Sequence, residues 1–283
     1  MGTVAQARRR QRSKTKLRAV ADTMRLTGRA AVISGGAGHV GLAVGQTLVE
    51  LGATVAVLDL DPVKCRERVE LLCRSRARSA VAVPCDLRDE PATRGAIHRA
   101  IERLGRLDIM VHCAAYVGTD TIPGWAVPFE QQTVDAWDAA LRVTLTSAFV
   151  MVQEAKASLA ASGHGSVILL DSIYGLVAPD HRLYEGTDMV NPAGYGAGKG
   201  GLLQLTRYLA TLLAPSVRVN AISPGGIWRS QPERFQSRYA ARTPLSRMAT
   251  EEDLKGAIAY LASDLSAYVT GHNLVVDGGW TAW

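Results

Sequence analysis

Tyr195 and Lys199, in the run Tyr-Gly-Ala-Gly-Lys, are the pair in this sequence best suited to chemistry. On a helix, positions i and i+4 share a face, so a phenol and an ammonium meet there. The ammonium favours phenolate and lowers the phenol pKa toward working pH. Such a phenol exchanges a proton with a carbonyl or hydroxyl while hydride moves to or from a nicotinamide. Ser172 ends an apolar run, where a hydroxyl can hold the substrate oxygen. A second group of residues suits the nucleotide. Ser34-Gly35-Gly36-Ala37-Gly38-His39-Val40-Gly41 lies between an apolar run and a helix-period segment. Glycines there let the backbone approach a pyrophosphate, and a helix N-terminus offers free N–H groups and positive dipole. Asp59 follows 18 residues after Gly41, with Leu60 beside it. Its carboxylate either accepts from an adenosine ribose and repels a 2′-phosphate, favouring NAD over NADP, or caps the helix ahead of Pro62.

Alternating apolar runs and helix-period segments must position these groups. Strands are expected at Ala30–Ser34, Thr54–Asp59, Ala80–Cys85, Leu107–Cys113, Val167–Asp171, Val217–Ile222 and Leu274–Val276. Helices are expected after Val40 and over Pro62–Arg74, Glu90–Leu104, Val134–Ala161, Ala193–Leu213 and Thr250–Ala262. Continuous apolar strands separated by helices predict an α/β fold, with one seven-stranded, doubly wound parallel sheet and helices on both faces.

Composition excludes several classes. Of 283 residues, 47% are hydrophobic and 20% charged, which fits a folded globule and rules out fibrous or disordered classes over most of the length. The net charge of +6 is concentrated at one end. Residues 1–25 hold eight Lys and Arg against Asp22, so the remaining 258 residues are close to neutral. A global case for nucleic-acid binding fails on that distribution. The basic segment reads as a disordered arm, either an unstructured leader or a tether to RNA, an acidic partner or a membrane surface. Cys65, Cys73, Cys85 and Cys113 have neither paired nor metal-ligand spacing, so no metal is expected, and a reducing cytosol fits. The uncharged run Ala30–Val49 holds five glycines, Ser34, His39 and Gln46, and reads as strand, loop and helix rather than a membrane span.

Together these motifs resemble the short-chain dehydrogenase/reductases across residues 26–283. The matching pieces are the loop at 34–41, Asp86-Leu87, Tyr195 with Lys199, Val219-Asn220-Ala221-Ile222-Ser223-Pro224-Gly225-Gly226, and Tyr268 through Trp280. The resemblance implies a single Rossmann domain. Its NAD would be held by Gly35, Gly38, His39, Val40 and Gly41, by Asp59 and Leu60, and by Asp86 and Leu87 against the adenine. Ala114, Ala115, Pro224, Gly225, Gly226 and Ile227 would pass the nicotinamide, and Tyr195 and Lys199 would also touch the cofactor, Lys199 at the ribose. A homotetramer is implied, with a dimer next. A narrower resemblance, in Ser172-Ile173-Tyr174-Gly175, Asn191-Pro192 and the ending Gly-Gly-Trp-Thr-Ala-Trp, is to the branch associated with flagellin modification and polysaccharide or nonulosonic-acid sugar biosynthesis. It implies a sugar or nucleotide-activated sugar substrate.

The sequence also departs from that pattern. His39 stands where the family has its second loop glycine, and can meet a phosphate or the substrate, or cap the helix. His112-Cys113-Ala114-Ala115 replaces the family's Asn-Asn-Ala-Gly. Thr144 replaces an asparagine of the proton relay and lacks an amide's separate donor and acceptor. Ser172 precedes Tyr195 by 23 residues, about ten more than the family usual, so residues 176–194 are expected to form a substrate loop. In it Arg182 and His181 would meet an anionic group, and Tyr184 or Glu185 sugar hydroxyls. Residues 227–247 are expected to form a lid, where Arg229, Arg234, Arg238, Arg242 and Arg247 suggest a phosphate or carboxylate on the substrate. The expected activity is an NAD-dependent oxidoreductase acting on a secondary alcohol or ketone. Tyr195 would be the acid/base, Lys199 its partner, Ser172 the orienting hydroxyl and Thr144 a provisional relay member. The alternatives are a cofactor-binding scaffold with lost catalysis and an epimerase or dehydratase that retains NAD.

Overall fold

The computed structural model describes residues 17–119 and 121–283. Seven strands form one sheet: β1 (Ala30–Ser34), β2 (Thr54–Leu58), β3 (Ala80–Ala82), β4 (Ile109–His112), β5 (Gly165–Leu170), β6 (Val217–Pro224) and β7 (Asn273–Val276). Their spatial order is 3-2-1-4-5-6-7, and every pairing is parallel. The helices are α1 (Val20–Met24), α2 (His39–Glu50), α3 (Pro62–Ser75), α4 (Glu90–Leu104), α5 (Val134–Leu141), α6 (Ser147–Ala161), α7 (Ala193–Leu213), α8 (Glu233–Arg242) and α9 (Glu252–Ala262). The expected α/β class is therefore found.

The strands read as unbroken apolar runs because both faces are covered. Successive side chains point to opposite faces. Val32, Met110, Val167 and Val219 pack with α4, α6 and α7, while Ile33, Val57, Val111 and Ile168 pack with α2, α3 and α9. Side-chain caps start several helices. Asp61 accepts from the Val63 and Lys64 amides ahead of α3, Asp89 caps α4, and Thr133 caps α5. Asp61, and not Asp59, is thus the cap before Pro62.

Three departures matter. The helix expected over Val134–Ala161 is interrupted by one π-helical turn, Arg142–Thr146. Helix α8 lies in the segment read only as a lid. The basic arm falls outside the described residues through residue 16, but its last part is ordered. Arg18 pairs with Asp264 at 2.8 Å, which fixes α1 near Arg29, itself bonded to Asp264. None of the helices among the described residues is long and apolar enough to cross a membrane.

The order of strands reverses direction between β1 and β4, which opens a crevice at their C-terminal ends. A buried carboxylate at the opposite end fixes how these two strands lie together. Asp108 is fully buried; it accepts from the Ala30 amide at 2.9 Å and from the Arg106 guanidinium at 2.6 and 2.8 Å. Asp108→Ala leaves the Ala30 amide without its partner and should cost about 2–3 kcal/mol of stability in urea denaturation. A loss near zero would show that the pairing is held elsewhere.

Candidate active site

The C-terminal ends of β4, β5 and β6 open into a cavity of about 460 Å³. Ser172, Tyr195 and Lys199 all line it. Helix α7 presents Tyr195 and Lys199 on one face, with the ammonium 5.8 Å from the phenol ring centre. Gly198 between them allows this helix to lie against Thr144, since a Cβ there would already meet that side chain at 3.3 Å. Ser172, just past β5, accepts from the Tyr174 amide at 3.2 Å, and its hydroxyl lies against the Tyr195 phenol. Lys199 Nζ donates to the Leu170 carbonyl at 2.5 Å.

The predicted cofactor residues divide into two groups. Val40, Ala115, Pro224, Gly225, Gly226 and Ile227 line the same cavity as the tyrosine and lysine. The others do not line it. Gly35 has φ +65° and comes so close to the next loop that a Cβ would meet the Ala114 amide at 2.7 Å. A Cβ on Gly41 would collide with the Gly35 carbonyl, so the loop can close over the start of α2 only as glycine. Helix α2 begins at Gly38 without a side-chain cap and without an acid in its first turn. That leaves N–H groups and positive dipole for an anion, which fits a dinucleotide's pyrophosphate. Asp59 Oδ2 accepts from the Ala37 amide at 3.0 Å and Oδ1 from Leu60, so the carboxylate sits beside the loop. Leu60 is exposed. Asp86 is engaged by the Arg88 guanidinium at 2.7–3.1 Å, and Leu87 and Ala114 are buried. His39 opens α2 but caps nothing; its ring is largely exposed, 3.9 Å from Glu251.

The chain matches the model of a family described as enoyl-(acyl carrier protein) reductase over residues 35–281. It is 32% identical to the cis-4-hydroxycyclohexanecarboxylate dehydrogenase of Sinomonas cyclohexanicum, covering 90% of this chain and 97% of that protein. It is 30% identical to sorbose reductase sou1 of Schizosaccharomyces pombe, covering 90% and 96%. The solved gluconate 5-dehydrogenase of Burkholderia cenocepacia, in complex with NADP and tartrate, superposes with a TM-score of 0.82 at 28% identity, covering 94% of this chain and all of that one. The chain belongs to the short-chain dehydrogenase/reductase family. It is therefore an oxidoreductase whose fold binds a nicotinamide cofactor.

Within this short-chain dehydrogenase/reductase several expectations need correction. The Tyr195 phenol is not drawn down toward working pH: burial pushes it up, while the Ser172 hydroxyl opposes the shift. The ammonium faces a backbone carbonyl rather than the phenol oxygen, and burial lowers its own pKa to about 8 although Asp171 works against that. Thr144 is buried and does not reach the cavity; its methyl side faces Gly198 and its carbonyl accepts from His112 at 2.9 Å. His181 and Arg182 are exposed, with Arg182 turned to Asp180 at 2.8 Å. Glu185 is exposed too, whereas Tyr184 does line the cavity. Of the five arginines expected to face an anion, only Arg229 lines the cavity. Arg238 bonds carbonyls of residues 182–185, Arg242 pairs with Asp180, Arg247 pairs with Asp253, and exposed Arg234 lies over Gly186.

Several site residues escape a reading of motifs alone. Asp171 is buried; it accepts from Ser223 at 2.9 Å, and burial raises its pKa to about 6. Its only sequence signal was its place directly before Ser172. Trp280, 5% exposed, stacks on Tyr239 and meets Tyr174 edge-on, so the C-terminus backs the cavity wall. The most consequential is His112, which the sequence marks as a departure from the family pattern but whose partners it does not indicate. Its Nδ1 meets Ser34 Oγ at 2.7 Å and its Nε2 meets the Thr144 carbonyl at 2.9 Å. A carbonyl can only accept, so Nε2 carries the proton and Nδ1 accepts from the serine. Burial, aided by the Lys199 charge, lowers its pKa to about 4.

A histidine whose pKa falls on folding stabilises the protein only while it stays neutral. This contribution is complete above about pH 6.5, the ordinary value, and is lost as pH falls toward 4. Between pH 7 and pH 4 the wild type should therefore lose about 3 kcal/mol relative to His112→Asn, measured by urea denaturation of both. Taking the difference cancels the opposing contribution of Asp171, whose raised pKa favours folding at low pH. Parallel profiles would mean that the imidazole titrates normally.

Proposed function

We propose that the protein is an NAD(H)-dependent oxidoreductase that interconverts a secondary alcohol and a ketone on a small polyhydroxylated or hydroxy-acid substrate. The observation that carries this reading is that Tyr195, Lys199 and Ser172 open into one cavity with Pro224–Ile227. Bound NAD(H) supplies the hydride donor or acceptor. In the reduction direction, the high pKa of Tyr195 keeps its phenol protonated near neutral pH, ready to donate to the carbonyl oxygen. Ser172 holds that oxygen. The Lys199 ammonium stabilises the phenolate left behind and can return a proton to it.

The choice of NAD rests on Asp59. Anchored by the Ala37 and Leu60 amides, its carboxylate sits where a 2′-phosphate would meet like charge. The gluconate 5-dehydrogenase was solved with NADP, so the choice of NAD is argued from Asp59 and not from that relative. The substrate class rests on the far wall. Tyr174 and Tyr184 share a hydroxyl hydrogen bond of 2.9 Å, Asn191 donates to Tyr184, and all three line the cavity. These groups suit substrate hydroxyls better than an acyl chain. None of the relatives named above belongs by name to the flagellin or nonulosonic-acid branch, and the cavity suits a sugar-sized molecule more than a nucleotide-activated one. We assign residues 176–194 as the substrate loop and 227–247 as the lid. Exposed Phe149, Tyr208 and Leu212, on α6 and α7, would be covered in a homotetramer.

Tyr195→Phe should lower turnover by at least about a hundredfold while leaving NADH affinity within a factor of two. Equal turnover in that variant removes the tyrosine from the chemistry. The reduction rate should fall as pH rises through about 8, where Lys199 loses its proton, as read from a kcat–pH profile. A profile flat to pH 10 would contradict that role. In parallel fluorescence titrations NADH should bind at least about tenfold tighter than NADPH, and Asp59→Asn should narrow the gap. Tighter NADPH binding would overturn the cofactor assignment.

A further inference from the structure

Arg229 is the lid arginine that reaches the cavity, and it is not free. Its guanidinium pairs with Glu251 Oε1 at 2.6 Å. The same oxygen lies 3.9 Å from Nδ1 of His39, the first residue of α2. Arg229 follows β6 and His39 follows the glycine loop, so the two come from opposite sides of the nucleotide crevice. Val40, next to His39, and Arg229 line the same cavity. Glu251 precedes α9, which packs on α2. Its side chain and that of Arg229 are each about 30% exposed, so the pair can exchange partners without leaving a charge sealed from water.

We propose that Glu251 is an internal competitor for the dinucleotide's pyrophosphate. In the free protein it holds Arg229, with His39 alongside, across the mouth of the crevice. A diphosphate at the uncapped start of α2 takes both groups as partners and repels the carboxylate, and this releases the root of the lid segment toward the bound cofactor. The proposal rests on the cofactor reading above. Its physical basis is that one carboxylate and one diphosphate cannot both be the close partner of a single guanidinium, whose fork suits either.

The test uses full-length protein with ADP-ribose, which carries the diphosphate without nicotinamide, and with adenosine, which carries neither. Binding is read by calorimetry at low salt. Glu251→Gln should bind ADP-ribose about two- to fivefold tighter, and the gain should shrink as salt is added. Arg229→Gln should weaken ADP-ribose binding by about tenfold, and adding Glu251→Gln to it should give a smaller gain than in the wild type. Adenosine affinity should stay unchanged throughout. Wild-type protein that binds ADP-ribose, with Glu251→Gln binding equally or more weakly, overturns the proposal alone; so does an equal gain for adenosine. Wild-type protein that binds no ADP-ribose overturns the cofactor reading as well.

Discussion

A neutral imidazole sealed in the sheet holds the reactive edge of this protein together. His112 is the last residue of β4, fully buried, and it connects three segments that are distant in sequence. Ser34, at the end of β1, starts the glycine loop. Thr144 lies in the π-helical turn between α5 and α6. Thr144 in turn packs on Gly198, between Tyr195 and Lys199. One ring therefore sets the nucleotide loop, the long helix and the reactive helix relative to one another. It does so because each nitrogen has a single compatible partner, which fixes both tautomer and ring orientation. A proton added to that ring would force the Ser34 hydroxyl to turn from donor to acceptor, and would place a second positive charge near Lys199 in a fully buried site.

The same low-polarity surroundings explain the charges of the site. Lys199 is nearly buried, which by itself favours the neutral amine. Asp171 opposes this from the end of β5, and its own carboxyl is pushed up by the same burial. Cys113 lies in this region too, with its thiol held up to about 12, so it remains a neutral, uncharged neighbour. The outcome is an ammonium poised near neutrality rather than one locked in a strong ion pair. A tight, well-solvated pair would hold the lysine charged at all working pH values and would make it a poor source of protons. The carbonyl of Leu170 gives the ammonium a fixed partner that cannot take its proton.

The frame was legible in the sequence because its signals are local and redundant. The limits of α4 and α7 follow from periodicity and from the residues at their ends, and all seven strands were visible as apolar runs. The loop, Asp59, Ser172, Tyr195 and Lys199 could be placed because strand ends and helix faces fix where such residues stand. What stayed hidden was pairwise. No periodicity indicates that His112 would bond Ser34 and Thr144, or that Thr144 would turn its side chain away from the cavity. The π turn adds no residue pattern of its own; it is visible only where the helix must meet a neighbour. The arginines of 229–247 mislead for a related reason. Charge counted along a segment records how many guanidiniums are present, not how many acids and carbonyls from elsewhere already occupy them.

Those occupied arginines bear on how the site is closed. Arg238 and Arg242 fasten α8 to residues 180–185 through carbonyls and Asp180. Such half-exposed polar contacts are worth little one by one, about 0–1 kcal/mol each. Beneath them the wall is of another kind: Phe235, Tyr239 and Trp280 are each at most 5% exposed and stack in sequence. The Tyr239 hydroxyl also accepts from the Gly226 amide at 2.5 Å, which ties this aromatic wall to the strap after β6. Burial of three large rings far outweighs the rim contacts. The inner face of α8 is therefore held by aromatic burial, and its outer face only by the weaker polar contacts of Arg238 and Arg242. Where this wall is strongly held and where it is weakly held is thus set by which side of one short helix is aromatic and which is charged.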